Sequence, residues 1–165
     1  MKSNIQRGFL FLELLVAVAL ISTVFVTLFF LQSKLLQIKQ DGIMKVRATY
    51  YAEEAIEALR YARNANGWNA ISSLSNNPTT YYVSLVSNVW VINTTAVSPD
   101  APANLFARTI QLEAVNRQGD QQGAIDPAGS YADSGTRKVT VTVSWDSGAK
   151  QVVLDTYLTD WASSL

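Results

Sequence analysis

One acidic side chain stands inside the longest apolar run of this chain. From Phe9 to Leu31 the only charge is Glu13, and the only other polar residues are Ser22, Thr23 and Thr27. A bilayer core about 30 Å thick needs roughly 20 apolar helical residues to cross it, and the run is long enough. A carboxylate within such a span costs on the order of 2–3 kcal/mol at mid-membrane and less near an end. Glu13 lies near one end. The simplest compensation is a carboxylate that snorkels to water at headgroup level. The sharper one is a buried cation, because a charge in hydrocarbon strongly favours a partner.

The residues around Glu13 narrow that choice. Gly8 ends a short basic leader, Met1 to Gly8, that carries Lys2 and Arg7; Phe9 follows, and Glu13 is the fifth residue counted from Phe9. This arrangement resembles the type IV prepilin signal over about the first 40 residues. The resemblance implies cleavage after Gly8 by a prepilin peptidase and N-methylation of the new Phe9 amine. It also implies assembly in which Glu13 pairs with the Phe9 amine of a neighbouring subunit. Two departures are visible. Leu10 stands where the family commonly has Thr, and the run has no Pro, with Phe30 at the place where many major pilins kink. The missing Pro favours a minor pilin or a secretion pseudopilin over a major fibre subunit.

Composition excludes several other classes. The 165 residues suit one small domain plus an anchor. There are 13 basic and 13 acidic residues, and loss of Lys2 and Arg7 with the leader leaves 11 against 13. That balance gives no general electrostatic reason to bind nucleic acid. No cysteine and no histidine are present. Disulfides, Cys- or His-ligated metals and Ser-His or Cys-His nucleophilic sites are therefore excluded. No cofactor is expected, and the reading is of a non-enzyme.

An ordinary secretory signal has an apolar core of about 7–15 residues and a small-residue cleavage site; this run is longer and passes directly into Gln32-Ser33-Lys34. Basic flanks alone would place the C-terminal side in the cytoplasm, with Lys34, Lys39, Lys45 and Arg47 against Lys2 and Arg7. The prepilin resemblance implies the reverse, with the leader cytoplasmic and the head exported. On that reading the chain is a single-pass protein of the cytoplasmic membrane before assembly, and afterwards part of an extracellular or periplasmic filament.

Helical spacing continues past the span. Leu28, Leu31, Leu35 and Ile38 follow steps of three and four, blur at Gly42 to Lys45, and resume at Ala52, Ile56 and Leu59. Gly42 predicts a bend or loosening. Asn64-Ala65-Asn66-Gly67 offers left-handed capping residues. The expected helix, Phe9 to Asn64, is about 80 Å long, with residues 9–31 in the membrane and 32–66 as an extension carrying the head. Glu53, Glu54, Glu57, Arg60 and Arg63 read as a solvated face with weak ion pairs, or as intersubunit contacts. The stretch from Glu54 to Arg60, then Ala62-Arg63-Asn64 and Gly67-Trp68, also resembles prepilin-like proteins, more loosely. Trp68 reads as a plug at the helix base.

The rest, 67–165, reads as a β-rich head. Asn69 to Thr80 is a loop by composition. Tyr81 to Ile92, Leu105 to Asn116, Arg137 to Trp145 and Lys150 to Thr159 have strand patterns. Arg117 to Thr136 reads as a long polar insertion and a candidate recognition surface. Val139, Val141, Val143 and Trp145 alternate with Thr140, Thr142 and Ser144, so the valines are expected to face the helix. Asp146 to Ala149 is a turn, making the last two strands a hairpin. The expected fold is α+β: a pilin-like long N-terminal helix packed on an antiparallel sheet of about four strands. Asp120, Asp126 and Asp133 fit no compact calcium loop and read as solvated loop residues. Tyr81, Tyr82, Tyr131 and Trp161 are candidates for adhesion or for sheet packing.

Three functions follow. The first is a structural subunit, a minor pilin or pseudopilin of a type IV pilus or type II secretion filament. Its partners would be prepilin peptidase, other pilin subunits, membrane lipid before assembly and the inner-membrane assembly machinery. The second is an exported single-pass adhesin or receptor that never polymerises. The third, an anchored enzyme, needs a cleft of converging carboxylates and hydroxyls that no residue pattern marks.

Overall fold

A computed structural model describes the backbone of residues 3–161 and the side chains of residues 10–161. The chain forms two compact units, residues 1–44 and 45–165, which are described separately. One helix, α1 (Ser3–Asn66), contributes to both. It continues through Gly42 as helix. Nothing approaches within 4 Å of where a Cβ on Gly42 would stand. Helix propagation adds one hydrogen bond per residue, which offsets the modest cost of a lone glycine. The helix ends at Asn66, two residues beyond the expected Asn64, and Gly67 follows with a positive φ of 77°, the left-handed conformation that a helix-ending glycine adopts most readily.

The second unit is α+β. After α1 comes a single helical turn, α2 (Asn69–Ser72), inside the segment expected to be loop throughout. The strands are β1 (Thr80–Val86), β2 (Val89–Asn93), β3 (Phe106–Arg117), β4 (Tyr131–Trp145) and β5 (Lys150–Thr159). They form one antiparallel sheet in the order β2-β1-β3-β4-β5. The fold class is as expected, with one strand more. The single strand expected over Tyr81 to Ile92 is a hairpin, turned by Ser87 and Asn88 at positive φ values of 49° and 65°. Two left-handed residues suit a tight hairpin turn, and Ser-Asn signals it less strongly than Asn-Gly would.

The helix face that meets the sheet is rich in alanine. Ala48, Ala52, Ala55, Ala58, Leu59 and Ala62 are buried. Small side chains let a helix axis approach a sheet closely. Opposite them, Phe106, Ile110 and Leu112 of β3 pair with Trp145, Val141 and Val139 of β4. Val139, Val141 and Val143 are fully buried, as their alternation predicts. Full burial of such a side chain contributes about 1.5–3 kcal/mol, so this helix–sheet layer is the core.

The expected polar insertion is shorter than its composition suggests. Tyr131 to Thr136 belongs to β4, and Tyr131, Ala132 and Asp133 pair with Arg117, Asn116 and Val115. The register shifts between Ala114 and Val115, where Ser134, Gly135 and Thr136 of β4 have no partner in β3. The shift turns Val115 inward in place of Ala114. A bulge of this kind re-aims side chains without ending the ladder.

Candidate assembly site

From Leu10 to Leu31 the first unit is a single helix with its side chains exposed. Its apolar window is long enough to cross a membrane and is not covered by any other part of the described structure. A helix hydrophobic on all sides is found in a membrane or a large core, and no such core surrounds these residues. The weakly polar residues of the run satisfy themselves. Ser22 donates to the Val18 carbonyl at 2.7 Å, Thr23 to Ala19 at 2.9 Å, and Thr27 to Val24 at 2.7 Å. Hydroxyls bonded back to their own helix cost little in an apolar medium.

Glu13 is the exception. Its carboxylate is flanked by Leu12 and Leu14 and makes no hydrogen bond or ion pair among the described residues. One helical turn on either side carries no cation with described surroundings. The sequence-predicted Gly8 and Phe9 lie within α1, but their side chains fall outside those described, as do Met1 and Lys2 altogether. Beyond the span, Lys34 is exposed and its ammonium lies 5.7 Å from the Phe30 ring centroid, a cation–π arrangement that turns the charge back toward the aromatic end of the run.

In the second unit the buried charges Arg108 and Asp133 are paired. Arg108, which shares its face of β3 with Phe106, Ile110 and Leu112, is buried. It donates to the Tyr51 carbonyl at 2.9 Å and the Val83 carbonyl at 3.0 Å, and pairs with Glu54 at 3.3 Å. Burial lowers its pKa from the usual arginine value, opposed by the Glu54 charge. Glu54 therefore belongs to a helix-to-sheet clamp, whereas Glu57 and Arg60 form the exposed pair expected of the helix face, at 2.6 Å.

Asp133 corrects the expectation of three solvated loop aspartates. It is buried and bonds Arg117 Nε at 2.6 Å. Burial pushes its carboxyl up, but bonds from Arg117, Thr136 and the Gly135 N–H outweigh this and hold it below the usual carboxylate range. Arg117 also donates to the Gly123 carbonyl at 3.0 Å, tying down the loop. Asp126 is half-buried, and hydrogen bonds from Gln118 and the Ala128 N–H lower its pKa. Asp120 caps the Gln122 N–H at 2.9 Å. No cluster of three or more metal-ligating side chains occurs among the described residues. Trp68 is half-buried and donates through Nε1 to the Ser134 carbonyl at 3.1 Å, fastening the end of the helix to the β4 bulge. Tyr81 is buried and its hydroxyl accepts from the Ser75 N–H at 2.8 Å, so it serves packing. Tyr82 and Tyr131 are half-buried and Trp161 is exposed.

No protein family, curated protein or solved structure matches the chain.

Proposed function

We propose that this chain is a structural filament subunit, a minor pilin or pseudopilin, cleaved after Gly8 and held in register by Glu13 and the Phe9 amine of a neighbour. The observation that carries this reading is the isolated Glu13 carboxylate in an otherwise self-satisfied apolar helix. A cation delivered by a second copy neutralises it, and the hydrocarbon between helices makes that pairing selective for register. Cleavage creates the required ammonium at Phe9, four residues before Glu13. The α+β head on the later part of α1 suits the same reading, because its core does not use the apolar run. The remaining partners are prepilin peptidase, membrane lipid before assembly and the inner-membrane assembly machinery, with the head exported.

The mature N-terminus tests this directly. Intact mass and N-terminal peptide mapping of the membrane-derived protein should give a chain that begins with methylated Phe9. A retained Met1, or a cut beyond Leu31, overturns the reading in favour of a non-polymerising anchored module. Gly8→Leu should block processing and leave the leader attached.

A further inference from the structure

The sheet ends in two unlike edges. β2 is hydrogen-bonded only to β1, and β5 only to β4. Exposed edges are commonly blunted by lysine, proline, a bulge or a covering segment. β2 reads Val-Trp-Val-Ile-Asn, and between Arg63 and Asp100 the chain has no Asp, Glu, Lys or Arg. β5 carries an uncharged stretch of its own, Gln151 to Leu154.

The backbone register shows which groups β2 presents. Val86 and Val89 flank the two-residue turn, and such a pair exchanges hydrogen bonds across the hairpin. Alternation then makes Leu85–Trp90 and Val83–Ile92 the pairs that do not bond each other. Trp90 and Ile92 therefore turn their N–H and C=O groups to the open edge. The same alternation turns Val83 the opposite way, toward β3, and there its carbonyl accepts from Arg108.

The side chains of the two edges also correspond. Val89, Val91 and Val153 lie on the solvent face of the sheet at 48%, 39% and 47% exposure. Trp90 and Ile92 share the other face with Val152 and Leu154. An added strand thus sets apolar side chains beside apolar side chains on both faces, with no charge opposed. The Thr159 carbonyl, already taken by Arg63 at 3.2 Å, is at the far end of β5 from this stretch. Contacts between unlike patches of identical subunits propagate instead of closing.

We propose that β2 of one copy adds to the Gln151–Leu154 stretch of β5 in the next copy, so that neighbouring heads share a continuous sheet. This rests on the filament reading, which brings copies side by side. The natural chain has no cysteine, so V91C/V153C in the full-length membrane protein reports the contact directly. Mild oxidation should give a ladder of disulfide-linked multimers from the double variant and none from either single variant. I92P in the same background removes an outward N–H while sparing the bonds to β1, and should reduce the ladder at least about tenfold. No ladder, a ladder unaffected by I92P, or dimers from V91C alone would overturn the proposal. The N-terminal mass of the same sample separates the two ideas. A ladder built from chains that retain Met1 overturns the processing scheme and leaves edge pairing standing; processed chains without a ladder overturn edge pairing alone.

Discussion

Between Leu10 and Leu31, α1 exposes large apolar side chains on every side; between Ala48 and Ala62 it buries an alanine-rich stripe and leaves Glu53, Glu57 and Arg60 in solvent. The backbone is the same helix. The difference lies in what covers it. The later stretch has a sheet whose valines and leucines fill the space beside the alanines, and the buried Arg108 guanidinium finds its partners within the fold. Among the described residues the earlier stretch has no protein cover, and its single carboxylate has no hydrogen bond or ion pair. An apolar surface of this kind is stable only when lipid or other copies surround it. The comparison assigns structural self-sufficiency to the head and dependence on surroundings to the span.

The largest effect expected from breaking this contrast is at Arg108. Arg108→Ala leaves Glu54 without its partner, strips the Val83 carbonyl of its donor and opens a cavity under the helix. Loss of about 3–5 kcal/mol of head stability is expected, measured by urea unfolding of the detergent-solubilised chain. Arg108→Met, which retains the volume, should cost less; equal loss from both would mean that the ion pair and hydrogen bonds, not packing, carry the whole effect.

A smaller effect is expected at Asp133. Its folded carboxyl lies below the unfolded value of 3.8. A depressed folded pKa gives stability that is present above the unfolded value and is lost as pH falls through the folded one. Stability should therefore decline below about pH 4. Asp133→Asn should remove about 1–3 kcal/mol at neutral pH and flatten that part of the acid limb. An unchanged acid limb in the variant would place its cause elsewhere.

The smallest effect on the head is expected from Glu13→Ala. Its unfolding should change by no more than about 0.5 kcal/mol, and membrane insertion should become easier by up to about 2–3 kcal/mol. On the proposed filament reading, incorporation into filaments should nevertheless fall sharply, as read by the fraction of subunit in sheared fibres. Wild-type incorporation would remove the pairing role from Glu13.

Several elements were legible in the residue pattern because a local period encodes them. Val139, Val141 and Val143 alternate strictly, and they are buried. Ala52, Ile56 and Leu59 follow helical steps and line the core. The β1–β2 hairpin was hidden because Ser87-Asn88 is a weak turn signal inside an apolar stretch. The first part of β4 was hidden because Tyr131 to Thr136 is polar and includes a glycine; it becomes strand where β3 continues beyond its register shift to pair with it. Asp133 and Arg117, 16 residues apart, become partners through that pairing alone. Of the candidate assembly site, the isolated acid and the length of the apolar run are plain in the sequence, because both are local properties of one segment.

The sequence by itself determined the helix, the unmet carboxylate within it, the alternating core strands and the exclusion of cysteine and histidine chemistry. These follow from residue type and short-range spacing, which need no distant partner. Tertiary structure decided that Arg108 lies buried between helix and sheet, that Asp133 closes a loop, and that β2 and β5 are left as open edges. Those outcomes depend on which segments meet, and burial and hydrogen-bond satisfaction are settled only when they do.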